Sequence, residues 1–301
     1  MNKVQILLST YNGEKYLEEQ IKSILNQQDV ELSLLIRDDG SKDSTIKIIE
    51  KIAKEDSRVK FYTGNNLGPA RSFMNLLKQS DKNCEYYAFA DQDDAWNQKK
   101  IINAINMIKT KENEPSLYLS ALEIVDANLN KIETKLVEGN FCLEGEIIKN
   151  FATGCTMVLN KKLLDIINSY EPKYLIMHDS WITRVCYAIG GNVIIDQNSY
   201  IKYRQHSNNT LGYKDNGLQK LIRQFKIAFV NKISMRANIA TELKNGYSEL
   251  LTEDAKELIN NLINYRTDKK AKKWLLNNKD FKTTNSKLNK KMKLSIILNK
   301  F

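Results

Sequence analysis

The stretch FADQDDAW, residues 89–96, sets Asp91, Asp93 and Asp94 within four positions, directly behind an apolar run that reads as a buried strand. Negative charge concentrated at such a place is costly unless a positive partner meets it. A local reading has Asp94 cap a helix starting near Trp96 while Asp91 and Asp93 face water. A chemical reading has carboxylates in D-x-D spacing hold a divalent cation, with positions left for phosphate oxygens. The motif alone leaves both open. The chain has two histidines, His178 beside Asp179 in YLIMHDSWI and His206 in YIKYRQHSNNT. His206 could complete a mixed oxygen and nitrogen shell, which favours Mn2+ over Ca2+. Asp179 has two compatible roles, N-cap of a helix over 180–190 and general base toward an attacking hydroxyl.

These residues need a frame, and the first half of the chain supplies one by alternation. Strands are expected over 4–9, 31–39, 59–64 and 85–91, and helices over 14–27, 41–55 and 68–80. The first helix shows Leu17, Ile21, Ile24 and Leu25 on one face. Ser41, Asp43 and Ser44 are capping candidates for the second, and Pro69 falls near N1 of the third. Such alternation means βαβ units and a mostly parallel, Rossmann-like sheet flanked by helices. Ligands bind such sheets beyond the carboxyl ends of the strands, where STYNG, DDGS and DQDD all fall. Further strands of a mixed sheet are expected in 116–126, 151–164 and 192–196, with a glycine-ended helix over 180–191. From about Leu218 onward the pattern is helical with basic faces.

Composition bounds the rest. The 301 residues are 42% hydrophobic and 27% charged, with 12 Gly and 3 Pro, as in a folded soluble protein without long linkers. Cys84, Cys142, Cys155 and Cys186 lack C-x-x-C spacing and read as free thiols in a reducing compartment. The N-terminus has too short an apolar run for a signal peptide, and no run approaches the roughly 18 residues of a membrane span. A cytoplasmic location is expected. Residues 1–213 carry 26 Lys and Arg against 28 Asp and Glu, and residues 214–301 carry 20 against 8. All of the +10 net charge therefore sits in the last third, apart from the acidic cluster.

In order along the chain, LLSTYNGEKYLEEQIKSILNQ, LLIRDDGSKDST, NNLGPARSF, FADQDDAW, MHDSW and YRQHSNN resemble the segments of a family 2 glycosyltransferase with the GT-A fold. The resemblance covers roughly the first 212 residues, most loosely at 115–150, and is greatest to bacterial rhamnosyltransferases of surface polysaccharide synthesis. It implies a catalytic domain over 1–213 and a basic helical extension over 214–301. Thr10, Tyr11 and Asn12 would then line the nucleotide base and ribose, Asp39 would read the base edge, and Arg71 would lie near the nucleotide. Asp91 would face the ribose, Asp93 and His206 would hold Mn2+ or Mg2+, and Asp179 would be the catalytic base. Gln92, Asp94, Trp96, His178 and Trp181 would support them. One departure stands out: the family's E-D pair around the base is here His178-Asp179.

The chemistry implied is inverting transfer. A divalent cation stabilises the charge of a departing nucleoside diphosphate, and Asp179 deprotonates the acceptor hydroxyl on the opposite face. The donor implied first is dTDP-L-rhamnose, then a UDP-hexose, and the acceptor is a saccharide, expected to be lipid-linked. The rivals are a sugar-nucleotide pyrophosphorylase, for which STYNGEKY lacks the Gly-rich basic phosphate loop, and a non-catalytic sugar-nucleotide-binding module. LQKLIRQFKIAFVNKI (218–233) and KLNKKMKLSIILNKF (287–301) read either as docking helices with solvated basic faces or as interfacial helices drawn to anionic lipid. The second reading places the protein peripherally on the inner face of the plasma membrane. No nucleic-acid motif is present, and no nucleic-acid partner is expected.

Overall fold

The computed structural model describes residues 1–205 and 235–301. It divides into two compact units, each with its own core: Met1–Glu138, Phe151–Glu171 and Leu175–Arg204 in the first, and Gly139–Asn150, Pro172–Tyr174 and the residues from Gln205 in the second. The boundary expected at 213, His206 and the basic stretch 218–233 lie outside the described residues.

The first unit carries a mixed sheet with flanking helices. Its strands are β1 (Asn2–Thr10), β2 (Val30–Asp38), β3 (Val59–Thr63), β4 (Tyr86–Ala90), β5 (Ala95–Trp96), β6 (Ser116–Val125), β7 (Lys131–Lys135), β8 (Val158–Asn160) and β9 (Asn192–Arg204). The spatial order is β3-β2-β1-β4-β8-β6-β9-β5, with β7 on β6. β3, β2, β1 and β4 run parallel, as crossovers through α1 (Leu17–Leu25), α2 (Thr45–Glu55) and α3 (Gly68–Lys78) require. β8 enters antiparallel between β4 and β6, and β9 runs parallel to β6.

β1 and β4 lie inside the sheet, with apolar residues facing both sides. Ile6, Leu8, Ala88 and Ala90 pack with Ile21 and Ile24 of α1 and Ile101 and Ile105 of α4 (Lys100–Lys109). On the opposite face of β4, Phe89 meets Phe73 of α3 edge to face at 5.5 Å. This two-residue period separates the two cores. Pro69 stands in the first turn of α3, as expected.

Three local expectations are corrected. Of 151–164 only Val158–Asn160 is a strand, because the Asn160 side chain accepts from Leu163 N and starts α6 (Lys161–Asn168). The helix expected from Trp96 starts at Lys100. Ala95 and Trp96 instead pair with Lys202 and Ile201, so Asp94 precedes a strand and caps no helix. The helix expected from residue 180 is α7 (His178–Ala188), capped at Met177, which puts Asp179 in its first turn.

In the second unit, helices Met235–Tyr247, Glu253–Asn264, Lys269–Asn277 and Ser286–Ile297 accompany the short α5 (Leu143–Ile148). Arg236 donates to the carbonyls of Ile147 and Ile148 and stacks over Phe301, whose own carbonyl accepts from Tyr265. Among the described residues, no helix is long and apolar enough to cross a membrane.

Candidate active site

The acidic loop after β4 is held from three directions, none legible in a hydrophobicity pattern. The first is the loop after β1. Gln92 Oε1 accepts from Thr10 Oγ1 at 2.7 Å and Tyr11 N at 2.8 Å, and Gln92 Nε2 donates to Tyr11 O at 3.1 Å. Gly13 permits this contact, since a Cβ there would meet Gln92 Oε1 at 2.2 Å. Asn12 takes a positive φ of 49° and joins the same loop to the one after β2, donating from N to Ser41 Oγ and accepting at Oδ1 from Lys42 N. Tyr11 is left 46% exposed at this edge.

The second tether is α1. Gln20 and Ser23 form a polar ridge beside its apolar face, at the spacing that puts side chains on one side of a helix, and Gln27 follows just beyond its end. Gln20 Nε2 donates to Asp91 O, and Ser23 Oγ accepts from Trp96 N. Gln27 donates to Asn97 O and accepts from Ile101 N.

Arg204, the last residue of β9, is the third and is buried. Its Nε donates to Asp93 O, Nη1 to Ala127 O and Nη2 to Glu19 Oε2, and its main-chain N donates to Asp94 Oδ1. The guanidinium also stacks on Tyr16 at 4.4 Å. Among the described residues, Arg204 is thus a positive group bonded directly to the DQDD loop. Sequence reasoning passed over it, although it stands two residues before His206 in the quoted YRQHSNN; a lone Arg ending an apolar-alternating run was the available signal.

The carboxylates held this way carry strained charge. Burial, and then the charges of Asp93 and Asp179, push Asp91 up to about 7. Asp94 is fully buried and is pushed well above the usual carboxylate range by burial and by Asp93 and Asp91. Asp91, Asp94 and Cys155 bring ligand atoms within 4.8 Å of one another. Cys155, in the 3-10 turn Gly154–Thr156, keeps its proton because burial and the charges of Asp94 and Asp91 raise its thiol. Lys100 is buried nearby, with Nζ 3.6 Å over the Trp96 ring, and burial pulls its pKa down to about 8. Clustered carboxylates with raised pKa values are a donor set that a hard divalent cation would relieve, so the residues present fit Mn2+ or Mg2+.

The remaining expected residues divide. Asp179 is buried in the first turn of α7, accepts from Ser180 N at 2.5 Å, and is close enough to raise Asp91. Asp39 is buried in an ion pair with Arg37 and accepts from Leu67 N and Gly68 N. Arg71 is exposed on the first turn of α3, directly after that loop. His178 and Trp181 are core residues. His178 lies against Phe73 at 4.1 Å and Phe89 at 5.1 Å, both ring nitrogens without hydrogen-bond partners, and burial pulls it down to about 3.

Comparison with known proteins fits this architecture. The chain is similar to the dTDP-rhamnosyl transferase RfbG of Shigella flexneri, 29% identical over 262 residues, which are 80% of this chain and 89% of that one. It is similar to the UDP-Glc:alpha-D-GlcNAc-diphosphoundecaprenol beta-1,3-glucosyltransferase WfgD of Escherichia coli, 33% identical over 54% of this chain and 62% of that protein. Its fold is that of S. aureus TarS residues 1–349, solved with UDP-GlcNAc. The TM-score is 0.59 at 20% identity, over 91% of this chain and 75% of that one. Residues 5–163, just over half of the sequence and including the whole acidic loop, match the family described as "Glycosyl transferase family 2". The chain is therefore a GT-A-type α/β protein and belongs to glycosyl transferase family 2.

Proposed function

We propose that the protein transfers a sugar, L-rhamnose from dTDP-L-rhamnose first among donors, with inversion onto a hydroxyl of a growing, lipid-linked cell-surface polysaccharide. The observation that carries this reading is the approach of Asp179 to the D-x-D loop. The two carboxylates, far apart in sequence, meet at the carboxyl edge of the sheet, where burial first, then Asp93 and then Asp179 push Asp91 up to about 7. A diphosphate leaving group needs positive charge on one side of the sugar carbon, and an attacking hydroxyl needs a base on the other. Asp93, with Asp91 and Asp94 beside it, would hold a divalent cation, which supplies Lewis-acid stabilisation of the leaving diphosphate when bound. Asp179 takes the proton of the acceptor hydroxyl. The ordered Ser180 N–H at its Oδ1 fixes the carboxylate's direction. Thr10, Tyr11 and Asn12 bind the nucleoside, Arg71 the nucleotide phosphates, and Gln92 keeps the nucleoside loop in register with the acidic loop.

The donor rests on the Shigella relative, and the lipid-linked acceptor on the diphosphoundecaprenol in the name of the E. coli one. A UDP-hexose donor is the second reading, favoured by the E. coli relative's UDP-Glc. The acceptor gives the basic C-terminal helices a reason to face an anionic membrane from the cytoplasmic side. A donor panel with purified protein and Mn2+ or Mg2+, scored by nucleoside diphosphate release, tests the reading. dTDP-L-rhamnose should give the fastest release, and a chelator, Asp93→Ala and Asp179→Asn should each suppress it. Turnover indifferent to all three sinks the mechanism, and binding without turnover of any donor favours the non-catalytic module.

A further inference from the structure

The Ser286–Ile297 helix shows two opposed faces. Met292 and Ile296 are buried, one turn apart, in the core of the second unit. At 100° per residue the opposite sector carries Lys287, Lys290 and Lys291 in the first half and Leu294, Ile297 and Leu298 in the last. These three apolar side chains are 56%, 55% and 54% exposed, an unusual cluster on one helix face. Lys272, from the preceding helix, places its Nζ 3.4 Å from Ile297 O, beside that apolar end. Residues 269–301 contain eleven lysines and a single acidic residue, Asp280.

We propose that this face docks on a bilayer containing anionic lipid, with Leu294, Ile297 and Leu298 entering the headgroup–acyl boundary and Lys272, Lys287, Lys290 and Lys291 meeting lipid phosphates. The proposal goes beyond the transferase reading by naming the surface; the lipid-linked acceptor gives that surface its purpose. The arrangement suits no other occupant as well. Three half-exposed side chains fall far below the roughly 1,000 Å² a stable protein interface buries, and a second copy would bring eleven lysines against eleven. Nucleic acid would use the lysines and leave the leucines and isoleucine in water. A lipid surface uses both, since long lysine stems lie along apolar surface while their charges reach the headgroups.

The test is co-sedimentation of the full chain with vesicles of phosphatidylglycerol and phosphatidylcholine, against vesicles of phosphatidylcholine alone. Binding is expected to the anionic vesicles at moderate salt, weakening as salt rises. Leu294→Ser/Ile297→Ser/Leu298→Ser should weaken it roughly tenfold or more, as should Lys287→Glu/Lys290→Glu/Lys291→Glu. Both triple variants alter only exposed side chains and should keep the wild-type melting temperature and donor turnover. Absence of anionic-vesicle binding overturns the proposal, and so does binding that both triple variants retain. A concentration-dependent dimer that the serine variant abolishes would assign the face to a second copy and overturn it equally. Donor turnover is read separately, so vesicle binding without turnover would count against the transferase reading alone.

Discussion

Two aspartate-rich loops end the strands on either side of β1, DDGS at the end of β2 and DQDD after β4, and their carboxylates are treated in opposite ways. Asp38 accepts from Gly40 N, Ser41 N and Ser41 Oγ, while Asp39 is paired with Arg37 and takes the amides of Leu67 and Gly68. Their charge is consumed in building the loops. In DQDD the protein instead secures the main chain: Gln20 binds Asp91 O and Arg204 binds Asp93 O, while burial and neighbouring charge raise the Asp91 and Asp94 carboxyls. Asp38 and Asp39 are bonded within and beside their own loop, whereas Asp91 and Asp94 combine a pinned backbone with raised pKa values, the pattern that clusters at functional sites.

The largest expected effect breaks the pair on the waiting side. Asp179→Asn should lower kcat by about 10²–10⁴-fold with little change in donor KM or melting temperature, because it removes a proton acceptor and leaves packing intact. A loss confined to KM would make Asp179 a binding group. On the satisfied side, Asp39→Ala strands the buried Arg37 guanidinium and should cost about 3–5 kcal/mol in urea unfolding. Asp94→Asn is the matched control. It keeps the oxygen that accepts from Arg204 N and removes a buried ionisable group, so stability should stay within about 1 kcal/mol of wild type. Equal costs for Asp39→Ala and Asp94→Asn would erase the distinction between the loops.

How far this was legible in the sequence follows from what each signal measures. Alternating apolar runs gave the four parallel strands and three helices, because burying both faces of a sheet imposes a pattern that composition records. The same signal was silent on Gln20, Ser23 and Gln27, which bind main-chain N–H and C=O groups of the acidic loop and the segment after it. It also stopped β9 at residue 196, though pairing with β6 and β5 carries that strand to Arg204. The motifs located the acidic loop and Asp179, but spacing does not say which carboxylates the fold itself consumes. Asp39 shows the difference: its base-reading role came from family resemblance, and its ion pair with Arg37 became visible only in three dimensions.

Arg204 sharpens the comparison at smaller amplitude. Arg204→Lys keeps the charge but loses the planar fork that reaches Asp93 O, Ala127 O and Glu19 together. The acidic loop should then be held less closely, raising donor KM about tenfold while kcat falls less, the reverse of the split expected for Asp179→Asn. An unchanged KM would mean that α1 and Gln92 suffice to fix the loop.

His178 limits the inference from an unsatisfied polar group to a waiting one. It adjoins Asp179 and has two unpartnered nitrogens, yet it faces Phe73 and Phe89 rather than charge, and a Cβ on Gly154 would meet its Nε2 at 2.6 Å. The imidazole is therefore packed as a neutral ring. Its folded pKa, about 3, lies below the unfolded value of roughly 6.5. The unfolded chain binds the proton first, so the stability linked to this group is fully present above pH 6.5 and is lost as pH falls toward 3. The loss should reach about 2 kcal/mol at pH 5. His178→Phe should remove that part of the acid sensitivity while donor turnover stays within a few-fold of wild type. The check is the difference between wild-type and variant unfolding free energies at pH 7 and pH 5. A variant that keeps the full acid sensitivity but loses turnover would move His178 from the packed core into the chemistry beside Asp179.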